Sequence, residues 1–591
     1  MGKQGILSRI LLWRAKHVND RTFMIILGVV IGVLAGIAAV VIKNSVAFIK
    51  HLLTQNFLLS QENFLYFALP AIGIFVAVVF VRFILRDYVG HGIPSVLYAI
   101  GKNNGIIKRH NMFSSVITSA LTVGFGGSVG LEGPTVATGA ALGSNLGQFL
   151  RLNYKQVMLL LALACAGAMA AIFKSPVAAV VFAIEVIMID LTMTSLIPLL
   201  IASVTAVLTS YFFLGNAVLY PFEIEGEFLF SHIPYYLLLG VVTALVSVYF
   251  TKVYIFIEKI FSGMKTWWTR LLLGGSVLGI LVFFFPSLYG EGYEAVNTVL
   301  KGDISPLYNE SPFYVFRDNW FVVFLLFILI LFFKAIATAV TFGAGGVGGI
   351  FAPTLFLGAF TGLFFATLLN YLNIMALPSA NFAMVGMAGL IAGVLHAPLT
   401  GIFLIAEITS GYELFVPLMI VATISYATTK IFVKNSVYTY QLARRGELLT
   451  HHKDKTILTM LRVDKLIEKD FTNIKPDATL RDLVRVISES KRNIYPVVDE
   501  DNVFKGFIRL DDVRNIIFKP ELYDTTKVSS LMSIPATFVE VTDNMDTVVA
   551  KFQDYDKYNL PVLDNGKYVG FVSRANVFLS YRKLLKDFSE D

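Results

Sequence analysis

From Ala335 to Ala406 the chain contains no Asp, Glu, Lys or Arg. A water-soluble domain of that length would have to expose many of those residues, whereas a helix crossing a bilayer needs roughly 20 apolar residues. Charge-free runs of spanning length recur at Phe23–Ile42, Phe64–Val81, Leu191–Phe222 and Ile233–Thr251. The 591 residues are 56% hydrophobic and 15% charged, so a polytopic helical membrane protein is predicted, with about ten to twelve apolar segments on the length criterion. Gly and Pro interrupt several of them.

Residues 1–21 are basic and amphipathic. The apolar run that follows is longer than a signal-peptide core and ends without a cleavage site, which predicts an uncleaved cytoplasmic start. Ile6 breaks the myristoylation pattern. The net charge of +7 includes Lys102, Lys108, Arg109, Lys430 and Lys434 near membrane ends, as the positive-inside tendency expects. It carries no nucleic-acid meaning. One cysteine, Cys165, excludes a disulfide framework and a cysteine-rich metal site, and reads as a buried free thiol.

Beyond Lys434 the composition turns charged. Ile494–Leu510 reads strand, turn, strand and leads into a helix, and Leu560–Ser573 repeats it, so the tail holds two copies of a small α/β unit. The predicted organisation is an N-terminal segment 1–21, a membrane domain 22–445 with repeats at about 22–222 and 232–442, a linker 446–461, and soluble units 462–523 and 524–588.

The membrane repeat is visible within the chain. Pro134 superposes on Pro353 at a shift of 219 positions, which also matches Gly124, Gly126, Gly127, Gly130, Thr135, Gly139, Ala140 and Gly143 with their counterparts. At a shift of 222, Gly167, Pro176 and Glu185 meet Gly389, Pro398 and Glu407. Halves interrupted by Gly and Pro at corresponding places point to a binding site at the repeat interface.

Three segments share a design of glycine, a small or apolar residue, then proline: GHGIP at Gly90–Pro94, GLEGP at Gly130–Pro134 and GGIFAP at Gly348–Pro353. Proline is favoured at the first helical position. Unpaired N–H groups and the positive dipole end make a helix start an anion site without formal charge. A broken helix in lipid must face protein or a water-filled cavity, so three starts converging on one cavity would form an anion path.

Glu132 is the only Asp, Glu, Lys or Arg between Arg109 and Arg151, and an ionisable group inside a membrane segment is a functional candidate by default. As an anion at a helix start, it can take the place of a permeating anion. Two unit charges about 4 Å apart repel by roughly 4 kcal/mol at an effective dielectric near 20. Protonation or displacement of Glu132 would then open the path; the alternative is a carboxylate that only caps a buried helix.

GHGIP, GLEGP, GGIFAP and Tyr438 in NSVYTYQL together resemble, in order and approximate spacing, the signature segments of the CLC family of chloride channels and proton/chloride exchangers. The resemblance runs from about Thr22 to Leu442, and the tail resembles paired CBS domains. It implies two inverted membrane halves per subunit, a homodimer with one pore per subunit, and multi-pass insertion in the plasma (inner) membrane with cytoplasmic CBS domains. Glu132 would be the external gating glutamate. The N–H groups of Ile350 and Phe351 and the Tyr438 hydroxyl would contact the central anion. The anion-binding set is Gly90, His91, Gly92, Ile93, Pro94, Gly130, Gly133, Gly349, Ile350, Phe351, Ala352 and Tyr438, for chloride or another small anion.

Three departures from the family pattern matter. His91 stands where the family usually has Ser, so either a protonated imidazole attracts anions or a neutral ring turns away from the pore. Leu131 stands where an Arg usually precedes the gate. Val186 stands where exchangers usually carry an internal proton glutamate. Valine holds no proton, which favours a passive chloride channel, with a proton-coupled antiporter as the alternative. Glu185 and Glu407 read as structural carboxylates. Lys174 and Lys334 are expected to snorkel toward an interface, and Trp267, Trp268 and Trp320 fit the aromatic belt.

Paired CBS units often bind adenine nucleotides (ATP, ADP or AMP). Ser573 and Asn576 are the candidate contacts; the first copy has Arg509 in place of the hydroxyl, with Asp512 at the acidic position. The alternative is a dimerisation module with no ligand, and no cofactor is required. A membrane metalloprotease would need HExxH, and none of the eight histidines is followed by Glu. A divalent-cation transporter would need several acidic groups along its path. An enzyme is therefore not expected.

Overall fold

The computed structural model describes residues 14, 16–57, 64–87, 89–90, 92–187, 193–215, 229–301, 305–308, 311–316, 319–409, 412–444, 461–555 and 557–589. Residues 1–13, His91 and the expected linker from 446 to 460 lie outside them. The chain divides into two compact units, 1–448 and 449–591.

The membrane unit runs α1 Asp20–Phe57, α2 Phe64–Val79, α3 Ile93–Lys102, α4 Asn111–Gly124, α5 Glu132–Phe149, α6 Tyr154–Phe173, α7 Pro176–Glu185, α8 Met193–Leu214, α9 Ile233–Gly263, α10 Trp267–Phe284, α11 Tyr293–Leu300, α12 Trp320–Gly343, α13 Phe351–Tyr371, α14 Ser379–Leu395, α15 Pro398–Ile408, α16 Phe415–Phe432 and α17 Val437–Arg444. Among the described residues nine helical stretches are long and apolar enough to cross a membrane. The shorter apolar helices α7, α14 and α15 make up much of the rest of the expected segments. Left-handed Lys174 and His396, each two residues before a proline, break the apolar runs ahead of α7 and α15.

Three pairs of reciprocal hydrogen bonds join the two halves. Gly130 N–H donates to the Gly349 carbonyl at 2.8 Å and Gly349 N–H to the Gly130 carbonyl at 2.7 Å, in antiparallel pairing. Ser128 N–H donates to Thr341 Oγ1 at 3.2 Å, and Val347 N–H to Thr122 Oγ1 at 3.1 Å. Glu407 accepts from the Val177 and Ala178 amides, and Glu185 from those of Leu399 and Thr400. Every partner is the repeat equivalent of its counterpart at a shift of 219 or 222. An approximate two-fold axis therefore relates the halves and reverses the chain direction where they cross. This is an inverted repeat.

Glu185 and Glu407 are thus structural, as expected: each ends or nearly ends its own helix and neutralises the positive start of the other's. Pro176 and Pro398 open those helices at the first position. Close backbone approach sets the helix packing: a Cβ on Gly143 would lie 2.9 Å from the Ala164 Cβ, and one on Gly362 2.8 Å from the Ala383 Cα.

In the second unit, β1 Ile494–Val498 pairs antiparallel with β2 Phe504–Arg509, while β3 Val539–Glu540 runs parallel to β4 Asn559–Asp564, which pairs antiparallel with β5 Lys567–Ser573. Ile474 bridges Val497 in parallel, as Val539 pairs with Val562 in the second copy. Helices α18 Leu480–Glu489 and α19 Met545–Tyr555 precede β1 and β4. The copies share a core of Val498, Tyr568 and Phe571.

Candidate functional site: an anion path at three helix starts

Glycines let the three helix starts meet. A Cβ on Gly92 would sit 2.9 Å from Gly133 Cα, and one on Gly349 would sit 2.8 Å from Gly133 N. Any side chain at these positions would force the starts of α3, α5 and α13 apart. Gly92 also has φ +65°, a left-handed conformation that glycine adopts freely. The prolines sit one or two positions later than expected, because α3 begins at Ile93, α5 at Glu132 and α13 at Phe351. First-turn N–H groups lack intrahelical acceptors, so proline is tolerated there too.

Between the starts lies a cavity of about 20 Å³ lined by Ile93, Pro94, Gly133, Gly349, Ile350 and Tyr438, with Tyr254 and Phe342 closing it. It has room for about one water-sized or halide-sized guest. Tyr438 is 4% exposed, and its hydroxyl has no hydrogen-bond partner among the described residues. A buried hydroxyl without a partner is costly, and an anion in the adjoining cavity would satisfy it. Gly90 precedes α3 and packs on Ser95, whose hydroxyl donates to the Gly92 carbonyl at 2.6 Å.

Glu132 stands beside this cavity, buried at 1% exposure. Its Oε1 accepts from the Tyr293 hydroxyl. Its Oε2 makes no hydrogen bond among the described residues and lies over Gly130, 3.5 Å from where a Gly349 Cβ would be. The carboxylate therefore reaches across the Gly130–Gly349 crossing toward Ala352, at the start of α13. On its other side a second cavity, of about 300 Å³, is lined by Lys43, Lys50, Leu131, Glu132, Glu291 and Tyr293.

The voltage gated chloride channel family matches residues 72–430. The chain belongs to that family. CBS domains match residues 463–519 and 528–582. The chain is similar to the putative chloride channel protein ClcB-like of Ralstonia nicotianae, 31% identical over 363 residues that cover 60% of this chain and 80% of that one. It is similar to the H(+)/Cl(-) exchange transporter ClcA of Vibrio vulnificus, 28% identical, covering 72% and 91%. Among solved structures, its fold is like that of a slow cyanobacterial Cl-/H+ antiporter (TM-score 0.61, 21% identity, 72% and 98% covered) and a eukaryotic CLC transporter (TM-score 0.57, 17% identity, 94% and 97% covered). The protein is a multi-pass CLC-type anion transporter with a CBS pair.

Several residues lining the larger cavity escaped sequence reasoning. Tyr293, Glu291 and Lys43 are far from the glycine segments in sequence, and no motif announced them. Lys334 overturns an expectation. It does not snorkel; it is fully buried, donating to Ser128 Oγ at 2.9 Å and the Gly290 carbonyl at 3.3 Å beneath the loop that carries Glu291, and lying 4.8 Å from the Phe356 ring. Three polar or aromatic partners make that depth tolerable. Lys174 is half-buried, donating to the Gly215 carbonyl at 2.7 Å. Val186, 5% exposed, caps the end of α7. Cys165 is a buried free thiol.

In the CBS unit Ser573 donates to Glu468 at 2.6 Å and accepts from the Asn576 amide, whose side chain donates to the Leu466 carbonyl. Arg509 pairs with Asp512. The candidate nucleotide contacts are thus engaged with their own domain, the Ser573 hydroxyl with the Glu468 carboxylate.

Proposed function

We propose that the protein is a passive chloride channel whose path is opened by protonation or displacement of Glu132. The observation that carries this reading is the unpartnered Tyr438 hydroxyl in a cavity built from helix starts, with the Glu132 carboxylate at its outer side. Anion and carboxylate compete for one positive environment, and the repulsion of roughly 4 kcal/mol between close unit charges at an effective dielectric near 20 makes their occupancy mutually exclusive. The inner end supports uncoupled permeation. Val186 binds no proton, and the neighbouring Glu185 is committed to two amides and the Thr400 hydroxyl.

The second reading is a proton-coupled antiporter that lacks the usual internal glutamate; the similarity to a relative named as an exchanger favours it. Purified protein in liposomes separates the two. With a fixed chloride gradient and an imposed pH gradient, a reversal potential that stays at the chloride Nernst value supports the channel, and one that moves with the pH gradient establishes exchange.

Family membership supports a homodimer with one path per subunit, and the basic residues at 102, 108 and 109 support cytoplasmic loops in an inner membrane. Nucleotide binding at the CBS pair would have to move Glu468 off Ser573. Equilibrium dialysis with ATP, ADP and AMP tests it, and no bound nucleotide is expected unless Glu468→Ala is introduced.

A further inference from the structure

We propose that Glu291 is the outer proton partner of Glu132, so that external pH is read first at Glu291 and then passed to the gate. The proposal rests on the gate reading of Glu132 and deepens it.

Glu132 and Glu291 line one cavity of about 300 Å³, wide enough for several waters. Two residues at the entry to α11 address the gate: the Tyr293 hydroxyl bonds Glu132, and Glu291, in the loop just before the helix, lines the same cavity within electrostatic reach of it, with the Leu131 amide facing the Glu291 carboxylate. The loop is held in place. Gly290 N–H donates to the Gly126 carbonyl at 3.2 Å, Lys334 holds the Gly290 carbonyl from below, and Gly290 and Gly292 both take positive φ. Glu291 is therefore positioned by backbone rather than by a flexible surface.

The charges around it are unequally committed. Lys50 pairs with Glu294 at 3.8 Å. Lys43 donates to the Ile172 carbonyl at 2.6 Å, which holds its ammonium on the wall of the cavity that both carboxylates line. Lys334 and Lys174 act from farther off, on Glu291 and Lys43 respectively. Leu131 brings no charge. Two carboxylates in one site resist simultaneous ionisation, so one proton held between them is the natural state of the pair. In the transfer, an O–H bond breaks on Glu291 and forms on Glu132 through cavity water. The negative charge moves outward to Glu291, where Lys43 and Lys50 face it, and no electron changes hands.

The test measures chloride flux of the full-length protein in liposomes against external pH at fixed internal pH. Removing the like charge in Glu291→Gln should lower the pH midpoint by about one unit, and removing the cation in Lys43→Met should raise it. Glu291→Asp should restore the wild-type midpoint, which a merely structural role would not predict. An unmoved midpoint in Glu291→Gln, with Glu132→Gln abolishing the pH dependence, would overturn the proposal and leave the gate standing. A pH dependence that survives intact in Glu132→Gln would remove the gate reading and this proposal with it. Should Glu291→Gln not fold, the Lys43→Met shift decides: a midpoint that stays or falls is evidence against the proposal.

Discussion

The two membrane repeats are superposable where they hold the fold and different where an ion would pass. Glu185 and Glu407 occupy equivalent positions and do the same work, each accepting amides at the start of the other's short helix. Gly130 and Gly349 are equivalent and bond each other. Two residues beyond that crossing the symmetry ends. The first repeat has Glu132, bonded by Tyr293; the second has Phe351, fully buried with its ring 5.2 Å from that of Phe173. The repeat supplies a symmetric frame of opposed helix starts, and on the proposed reading the one carboxylate within it competes with an anion and takes up a proton.

The largest expected effect follows from erasing that difference. Glu132→Gln should leave chloride flux in liposomes nearly constant between pH 5 and 7.5, where the wild type should vary by about tenfold or more, given a repulsion of a few kcal/mol. Flux that keeps its pH dependence would show that the asymmetry lies elsewhere. The opposite change, Phe351→Glu, makes the repeats alike by adding a carboxylate. It would meet Phe173 instead of a tyrosine hydroxyl, and an uncompensated buried charge costs about 3–5 kcal/mol. Loss of the thermal transition of the detergent-solubilised protein is expected; a stable, conducting Phe351→Glu would mean that the inner start tolerates a gate as well as the outer one.

The symmetric frame was legible in the sequence because its causes are local. Glycines at crossings and prolines at helix starts recur at fixed shifts, and Glu185 and Glu407 could be paired and assigned a structural role from their spacing. The cavity beside Glu132 was not legible. Lys43 lies on the first helix and Tyr293 more than two hundred residues later, so only the fold brings them to Glu132. Lys334 misled for a related reason: a lone lysine in an apolar helix is ordinarily carried to an interface by its long stem, and nothing in its neighbourhood announces the Ser128 hydroxyl and Gly290 carbonyl that retain it.

A smaller effect sharpens the comparison at the helix caps. Glu407 accepts two amides, and Glu185 accepts two amides and the Thr400 hydroxyl at 2.7 Å. Glu407→Gln should cost about 1–2 kcal/mol, as capping groups do, and Glu185→Gln about 1 kcal/mol more, for a further bond to a charged acceptor. In a Thr400→Val background the two substitutions should become equal. Thermal midpoints of the four proteins measure this, and an excess that persists without the hydroxyl would break the assigned symmetry.

The smallest effect concerns the two CBS copies, which repeat the same logic with different caps. In the first, Thr479 and Asp482 cap α18 reciprocally, with Thr479 N–H donating to the carboxylate at 3.1 Å. In the second, Asn544 accepts from Thr547 N–H at 2.8 Å at the start of α19. The Thr479 amide and hydroxyl hold the Asp482 carboxyl below its ordinary range. A depressed carboxylate contributes its stability above the unfolded value, about 3.9, and loses it as the pH falls through the folded value. Asn544 carries no charge to lose. At pH 7, Thr479→Ala and Asn544→Ala should each weaken their own helix by about 1 kcal/mol, read as roughly fivefold faster hydrogen exchange of its amides. As the pH falls below about 4, the carboxylate's share of the α18 cap should fade while the α19 cap keeps its strength. Equal acid sensitivity of both helices would show that the reciprocal box contributes nothing that a single neutral cap does not.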